Sequence, residues 1–129
     1  MKRWTLAVLL LAAALATSGA SMGKAGEPSK DVAVVEFPQT VKLANVLLRG
    51  EYLVVHDETK MAQGEPCLYF YQSKLGRYVR PVISLHCQRV ERAKADHFTV
   101  SVFRRNIPLE VPEVREIQFA GATEGHRVP

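Results

Sequence analysis

The two cysteines of the chain, Cys67 and Cys87, constrain its fold more than any other feature. Both belong to runs in which apolar and polar residues alternate, which is typical of half-buried β-strands. If the chain reverses around Arg77, the two cysteines face each other on neighbouring antiparallel strands. Opposed Cα atoms in such a pair lie about 4.5–5.5 Å apart, within the range of a disulfide. The pattern therefore predicts a β domain closed by a disulfide between Cys67 and Cys87.

The turn between these two strands determines which side chains face the core. A two-residue turn at Leu75 and Gly76 would pair odd with even positions and would expose the apolar set of one strand. A wider turn through residues 76–78 pairs odd with odd positions and keeps the apolar residues of both strands on the same face. The sequence therefore favours the wider turn. That register places both tyrosines of the first strand in the core, in the pairs Tyr69–Leu85 and Tyr71–Ile83.

The N-terminal segment has the layout of a secretory signal. Lys2 and Arg3 precede an apolar run at residues 4–16, and small residues follow as far as Ala20. The apolar run is shorter than the ~20 residues that a membrane-spanning helix needs, although an uncleaved anchor is the alternative. The sequence thus predicts a signal peptide at residues 1–20, a periplasmic or secreted product, and no stable membrane anchor after cleavage.

Composition limits what the remaining chain can be. The full chain has 17 basic and 13 acidic residues, so loss of Lys2 and Arg3 leaves 15 and 13, a net charge of +2. A net charge of +2 does not indicate a nucleic-acid-binding protein. The length suffices for one domain with one modest core. The predicted organisation is a flexible lead-in at residues 21–30, a domain at residues 31–120 and a polar tail at residues 121–129.

Short apolar runs separated by Gly, Pro and charged residues predict an all-β domain. The expected architecture is a small antiparallel sandwich or barrel of about six or seven strands, preceded by the signal helix. The predicted elements begin with an edge strand at residues 32–37. Residues 41–48 fit a strand or a short helical turn, and the hairpin turn expected at 49–50 favours the strand. A central strand at 52–55 covered on both faces and a loop with one helical turn at 57–66 follow. The remaining predicted strands are 67–72, 79–89, 96–104 and a last one at 114–120.

The segment from His56 to Cys67 reads His-Asp-Glu-Thr-Lys-Met-Ala-Gln-Gly-Glu-Pro-Cys, and the pair His86–Cys87 follows later. The sequence of this segment, together with the later pair, resembles a family of small exported bacterial proteins of unknown function. The resemblance covers the mature domain. It implies no activity.

The histidines show no ligand spacing such as His-x-His or His-x-x-x-His; they are His56, His86, His97 and His126. Neighbours on a strand, such as His86 and Cys87, point to opposite faces. The sequence therefore predicts no metal site and no cofactor. If a metal site exists, His56 is the best candidate for one of its ligands. Twenty positions separate the cysteines, which favours a structural disulfide over a redox pair.

No motif of a catalytic family occurs in the chain, which favours a non-enzymatic binding or structural domain whose partner is an unknown envelope protein or small ligand. Two exposed segments are candidates for binding. They are the loop after the central strand, with His56, Asp57, Glu58 and Lys60, and the hairpin tip, with Arg77, Tyr78 and Arg80. The alternative is a small envelope hydrolase that uses the His56/Asp57/Glu58 cluster, which requires convergent polar groups in a concave site.

Overall fold

The computed structural model describes residues 30–129, which form eight β-strands and one short helix. In chain order these are β1 (Lys30–Leu43), β2 (Val46–Asp57), α1 (Glu58–Ala62), β3 (Leu68–Gln72), β4 (Pro81–Leu85), β5 (Gln88–Glu91), β6 (Thr99–Phe103), β7 (Glu113–Gln118) and β8 (Glu124–Arg127). The predicted signal peptide and all but the last residue of the predicted lead-in lie outside the described residues. Within residues 30–129, no helix is long and apolar enough to cross a membrane.

All eight strands belong to one sheet with the order β4-β3-β2-β1-β7-β8-β5, and β6 pairs with β7 outside this path. Neighbouring strands run antiparallel except β1 and β7, which meet in a parallel contact at Lys42 and Glu113. The sheet curls into a half-barrel. The all-β class is confirmed, but the sheet is mixed and has eight strands where six or seven were predicted.

The core lies inside the curl and consists of alternate residues of the strands. Its buried members include Phe37, Val41, Leu43, Leu48, Tyr52, Val54, Leu68, Phe70, Val114, Ile117 and Phe119. Strand β2 pairs with both β1 and β3, so the predicted central strand at residues 52–55 is confirmed. Leu53 and Val55 are only half-buried. The strand therefore packs on the core with one face, where burial of both faces was predicted.

Strand β1 is longer than the predicted edge strand and lies inside the sheet, between β2 and β7. Pro38 does not end it, because the register of the β1–β2 ladder shifts between Phe37 and Val41. Such an irregularity accommodates a proline, which has no N–H to donate to a ladder. The hairpin turn lies at residues 44–45, where 49–50 was predicted, and β2 continues through Gly50.

The chain reverses between β3 and β4 in the tight turn that the sequence disfavoured. Leu75 and Gly76 form the two-residue turn, and Lys74 and Arg77 bridge its base. Both turn residues have positive φ, 52° and 72°. This is the conformation of the two-residue turns that match the twist of a hairpin.

The register of β3 and β4 also shifts between Phe70 and Tyr71. Beyond that shift Leu68 faces Leu85 and Phe70 faces Ile83, which differs by one residue from the predicted register. The buried residues of β3 are the even-numbered Leu68 and Phe70. The tyrosines predicted to be core residues are half-buried and lie outside the core cluster; they are Tyr69 and Tyr71.

The predicted disulfide between Cys67 and Cys87 is present, with the Cα atoms 6.4 Å apart. Neither cysteine lies within a paired strand, because Cys67 precedes β3 and Cys87 lies between β4 and β5. The run predicted as one strand at residues 79–89 is two strands, since β4 pairs with β3 whereas β5 pairs with β8. Strands β4 and β5 stand at opposite ends of the strand order, and Cys87 lies in the segment that joins them. The disulfide therefore connects this segment to the start of β3.

The last strand is β8, within the segment predicted to be a polar tail at residues 121–129. It pairs with β5 over four positions and with β7 over two. Gly125, His126 and Val128 are buried. A segment without apolar alternation forms a strand here because backbone pairing on both sides holds it in the sheet. The domain therefore extends beyond residue 120.

Candidate thiol–imidazole centre

Three side chains from separate segments meet inside the half-barrel, His56, Cys87 and His126, and Cys67 joins them through its disulfide with Cys87. We call this set the thiol–imidazole centre. His56 lies on β2, and the period of two puts it on the same face as the buried Tyr52 and Val54. His126 lies on β8, between its partners on β5 and β7. The disulfide brings the two sulfur atoms to the same place.

The centre is compact enough for its nitrogen and sulfur atoms to contact one bound ion. One nitrogen or sulfur atom from each of His56, Cys87 and His126 lies within 4.8 Å of the other two. The two imidazole rings stack, with centroids 3.8 Å apart and planes 27° apart. The Sγ atom of Cys87 is 3.9 Å from Nδ1 of His126. Phe119 lies against both rings, at centroid distances of 6.4 and 6.2 Å, and forms an apolar wall.

The imidazole of His56 is fully buried, and neither of its nitrogens has a hydrogen-bond partner among residues 30–129. A neutral imidazole has one N–H donor and one acceptor nitrogen, so both groups are unsatisfied. A buried polar group without a partner costs about 1–3 kcal/mol. Because native structures satisfy most buried polar groups, such a side chain in the core requires an explanation.

Both histidines of the centre are neutral at pH 7. Burial lowers the pKa of His56 to about 4, and the nearby His126 and Arg89 act in the same direction. Burial also lowers the pKa of His126, although Glu124 and Asp31 oppose that shift. Each ring therefore keeps a nitrogen lone pair, which is the form of histidine that binds metal ions.

Carboxylates border the centre on one side. Oxygen atoms of Asp31 and Glu58 lie 3.8 and 3.9 Å from Nδ1 of His56. Arg89 is paired with Glu58 and with Glu124, whose Oε2 lies 2.8 Å from the Nε atom of Arg89. A carboxylate beside one ring nitrogen is the arrangement that orients a histidine for ligation through the other nitrogen.

Cys87 connects the centre with solvent. It is half-buried and lines a surface cavity of about 420 Å³ together with His86, Gln88, Arg127, Val128 and Pro129. Cys67 is 1% exposed, and both histidines of the centre are buried. Cys87 is therefore the residue of the centre that a molecule in the cavity meets first.

Of the predicted loop residues, only His56 belongs to the centre. Asp57 caps α1, since its Oδ1 accepts a hydrogen bond of 3.2 Å from the backbone N–H of Lys60. Glu58 is paired with Arg89, and the Lys60 ammonium lies 3.4 Å from Glu65. The helical turn predicted in this loop is confirmed as α1. The carboxylate of Asp57 thus stabilises the loop and does not join His56 in a concave site.

The predicted hairpin tip is a different feature of the surface. Arg77 and Arg80 are exposed and line a shallow cavity of about 220 Å³ with Gln72, Lys74, Val79, Pro81 and Val82. The Tyr78 hydroxyl donates a hydrogen bond of 2.9 Å to Glu51, which raises the pKa of Tyr78. The residues around this cavity differ from those around Cys87.

The sequence did not single out His126, because this residue lies 39 positions from Cys87 in a segment without a strand pattern. Its partners come from three further segments, so no local spacing could have indicated the set. Comparison of the chain with family models, curated proteins and solved structures gave no match.

Proposed function

We propose that this protein is an exported, non-enzymatic β domain that binds one transition-metal ion at the thiol–imidazole centre. The observation that carries the proposal is the fully buried His56, whose two ring nitrogens lack partners while it stacks on His126 beside Cys87. A bound ion would take up one of these nitrogens and so account for a side chain that otherwise weakens the core.

The donor atoms indicate the class of ion. Imidazole nitrogen suits Zn(II) and copper, as does the thiolate sulfur that the cysteines would supply after reduction, whereas Mg(II) and Ca(II) prefer oxygen ligands. Metal–nitrogen bonds of about 2.0–2.1 Å in a tetrahedral site place the two nitrogens about 3.3 Å apart. The spacing within 4.8 Å is close enough for small side-chain movements to reach that geometry.

Burial favours an ion over an organic substrate. His56 and His126 are 0% and 1% exposed, so a substrate could not reach them without opening of the fold. The alternative hydrolase requires His56, Asp57 and Glu58 to converge, and Asp57 instead caps α1. The histidine spacing predicted no metal site, and the proposal differs from that prediction. The spacing considers only residues that are close in sequence, whereas the residues of the centre come from separate segments.

Export is part of the proposal and rests on the N-terminal pattern. A charged start, an apolar run and small residues at positions 17–20 are typical of a cleaved signal helix. The disulfide is compatible with an oxidising compartment such as the periplasm or the exterior of the cell.

A metal titration tests the proposed function. The protein expressed from the full-length chain is reduced, freed of metal and titrated with Co(II) as an optical probe and with Zn(II) as a competitor. We expect one ion per chain, and we expect His126→Leu to abolish stoichiometric binding. His97→Leu is the matched control, because His97 is exposed and outside the centre. Absence of binding by the reduced wild-type protein would refute the proposal.

A further inference from the structure

We propose that the Cys67–Cys87 disulfide is a redox gate on the thiol–imidazole centre: its reduction creates the complete metal site, and its oxidation abolishes that site. The inference rests on the proposed function and names the regulation of the same centre. A thiolate is the form of cysteine that ligates metal ions, and a disulfide sulfur has no such charge. In the oxidised protein the centre therefore offers two imidazoles and no thiolate.

Reduction would add two ligands at once. The sulfur of Cys87 already lies within 4.8 Å of a nitrogen of each histidine, whereas Cys67 is outside that group, is bonded to Cys87 and would turn towards the rings after reduction. After the bond breaks, the four side chains supply two sulfur and two nitrogen donors. This is the closed tetrahedral set of Cys₂His₂ sites, which leaves no position for a substrate. The ligand set thus agrees with binding of an ion and not with catalysis.

The structure also indicates where reduction begins. Cys87 lines the open cavity, whereas Cys67 is buried behind it. A thiolate that comes from solvent would therefore attack the Sγ atom of Cys87. The exposed guanidinium of Arg127 lines the same cavity and would stabilise the negative charge of the incoming thiolate.

The reductant that we propose is a dithiol, of the class present in thiol–disulfide exchange proteins. Its first thiolate forms a bond to Cys87, the Cys67–Cys87 bond breaks, and Cys67 leaves with the electron pair as a thiolate. The second thiol of the reductant then displaces Cys87 and closes the reductant's own disulfide. Two electrons and two protons have moved to the protein. Metal binding to the two thiolates releases those protons and transfers no electrons.

The experiment compares the oxidised and reduced states of the wild-type protein, expressed from the full-length chain. Each state is titrated with Co(II) and with Zn(II), and thiol alkylation is followed by mass spectrometry with and without metal. We expect the reduced protein to bind one ion with sulfur-to-Co(II) charge-transfer bands and with both thiols protected. We expect the oxidised protein to bind more than about 100-fold more weakly, because it lacks two ligands.

The possible results distinguish a failure of the redox gate from a failure of the proposed metal binding. Equal affinity in both states would overturn the gate and leave metal binding in place. Binding by the reduced protein with both thiols still open to alkylation would also overturn the gate, since the sulfurs would not be ligands. No binding in either state would refute both proposals.

A cysteine variant provides an independent measurement. Cys67→Ser removes the disulfide and leaves the thiolate of Cys87 beside both histidines. We expect its binding to be the same with and without reductant, weaker than that of the reduced wild type, and with roughly half the charge-transfer intensity. Dependence on reductant in this variant would contradict the gate. If the variant does not fold, the comparison of the two wild-type states decides.

Discussion

Replacement of His56 by leucine is expected to make the metal-free protein more stable. The imidazole of His56 is fully buried, and two of its atoms are polar and without partners among the described residues. Leucine is apolar and close to histidine in size, so it fills the same space without unsatisfied groups. The structure therefore predicts that a position important for binding is unfavourable for folding, as is common at functional sites.

The magnitude follows from the contacts of the ring. Each unsatisfied nitrogen costs about 1–3 kcal/mol. The variant loses the stacking on His126, worth about 0.5–1.5 kcal/mol, and a change of side-chain shape in the core costs up to about 1.5 kcal/mol. We expect a net gain of about 1–2 kcal/mol in the free energy of unfolding. In a domain of this size, each kcal/mol raises the Tm by about 4–8 °C.

The assay is urea unfolding of the oxidised, metal-free protein at pH 7, followed by circular dichroism. His97→Leu is the control, since replacement of an exposed histidine should change the free energy of unfolding by less than about 0.5 kcal/mol. A lower stability of His56→Leu at an unchanged denaturant slope would refute the reasoning. It would mean that the ring nitrogens are satisfied within the fold and are not reserved for a ligand.

The remaining predictions concern acid, a turn and a helix cap. Because the folded-state pKa of His56 is about 4 against 6.5, the unfolded chain binds the proton first as the pH falls. Urea titrations should show no effect of this group above pH 6.5, and towards pH 4 the wild type should lose about 3 kcal/mol more than His56→Leu, since the lowered pKa of His126 causes a loss that both proteins share. Leu75 is fully exposed at positive φ beside Gly76, so Leu75→Asn should raise the free energy of unfolding by about 1 kcal/mol, and an unchanged urea midpoint would contradict this. Asp57→Ala removes the cap of α1 and should lower the Tm through a loss of about 1 kcal/mol, whereas Asp57→Asn should retain most of it.

The sequence predicted those parts of the fold that depend on neighbouring residues. Short apolar runs indicated the all-β class, the continuous apolar run at residues 52–55 indicated the central strand, and the parity of the cysteines indicated their disulfide. Parity also misled, because the chain takes the tight turn at residues 75–76 and the β3–β4 ladder shifts between Phe70 and Tyr71, so the observed pairs differ by one position from the predicted ones. The disulfide forms nevertheless, because Cys67 precedes β3 and Cys87 follows the end of β4, so the two cysteines are not a pair of that ladder.

The candidate centre was beyond the reach of local patterns. His56 was named from its place at the end of a strand, but it was grouped with Asp57 and Glu58, its neighbours in sequence. Its partner His126 is supplied by β8, which has no hydrophobic period and is held by backbone pairing with β5 and β7. Long-range strand pairing of this kind depends on the whole fold, so sequence spacing contains no signal for it.

The arrangement of the strands has a consequence for the order of folding. The β1–β2 hairpin joins eleven paired positions through a two-residue turn, so it can form from local contacts at low entropic cost. The pairing of β8 with β5 must instead join residues at least 33 positions apart, since the innermost pair is Glu91 and Glu124. Contacts that are distant in sequence generally form late and slowly. We therefore expect the centre to be completed late in folding, and we expect a chain that stops before residue 126 to build the hairpin without the ligand pair.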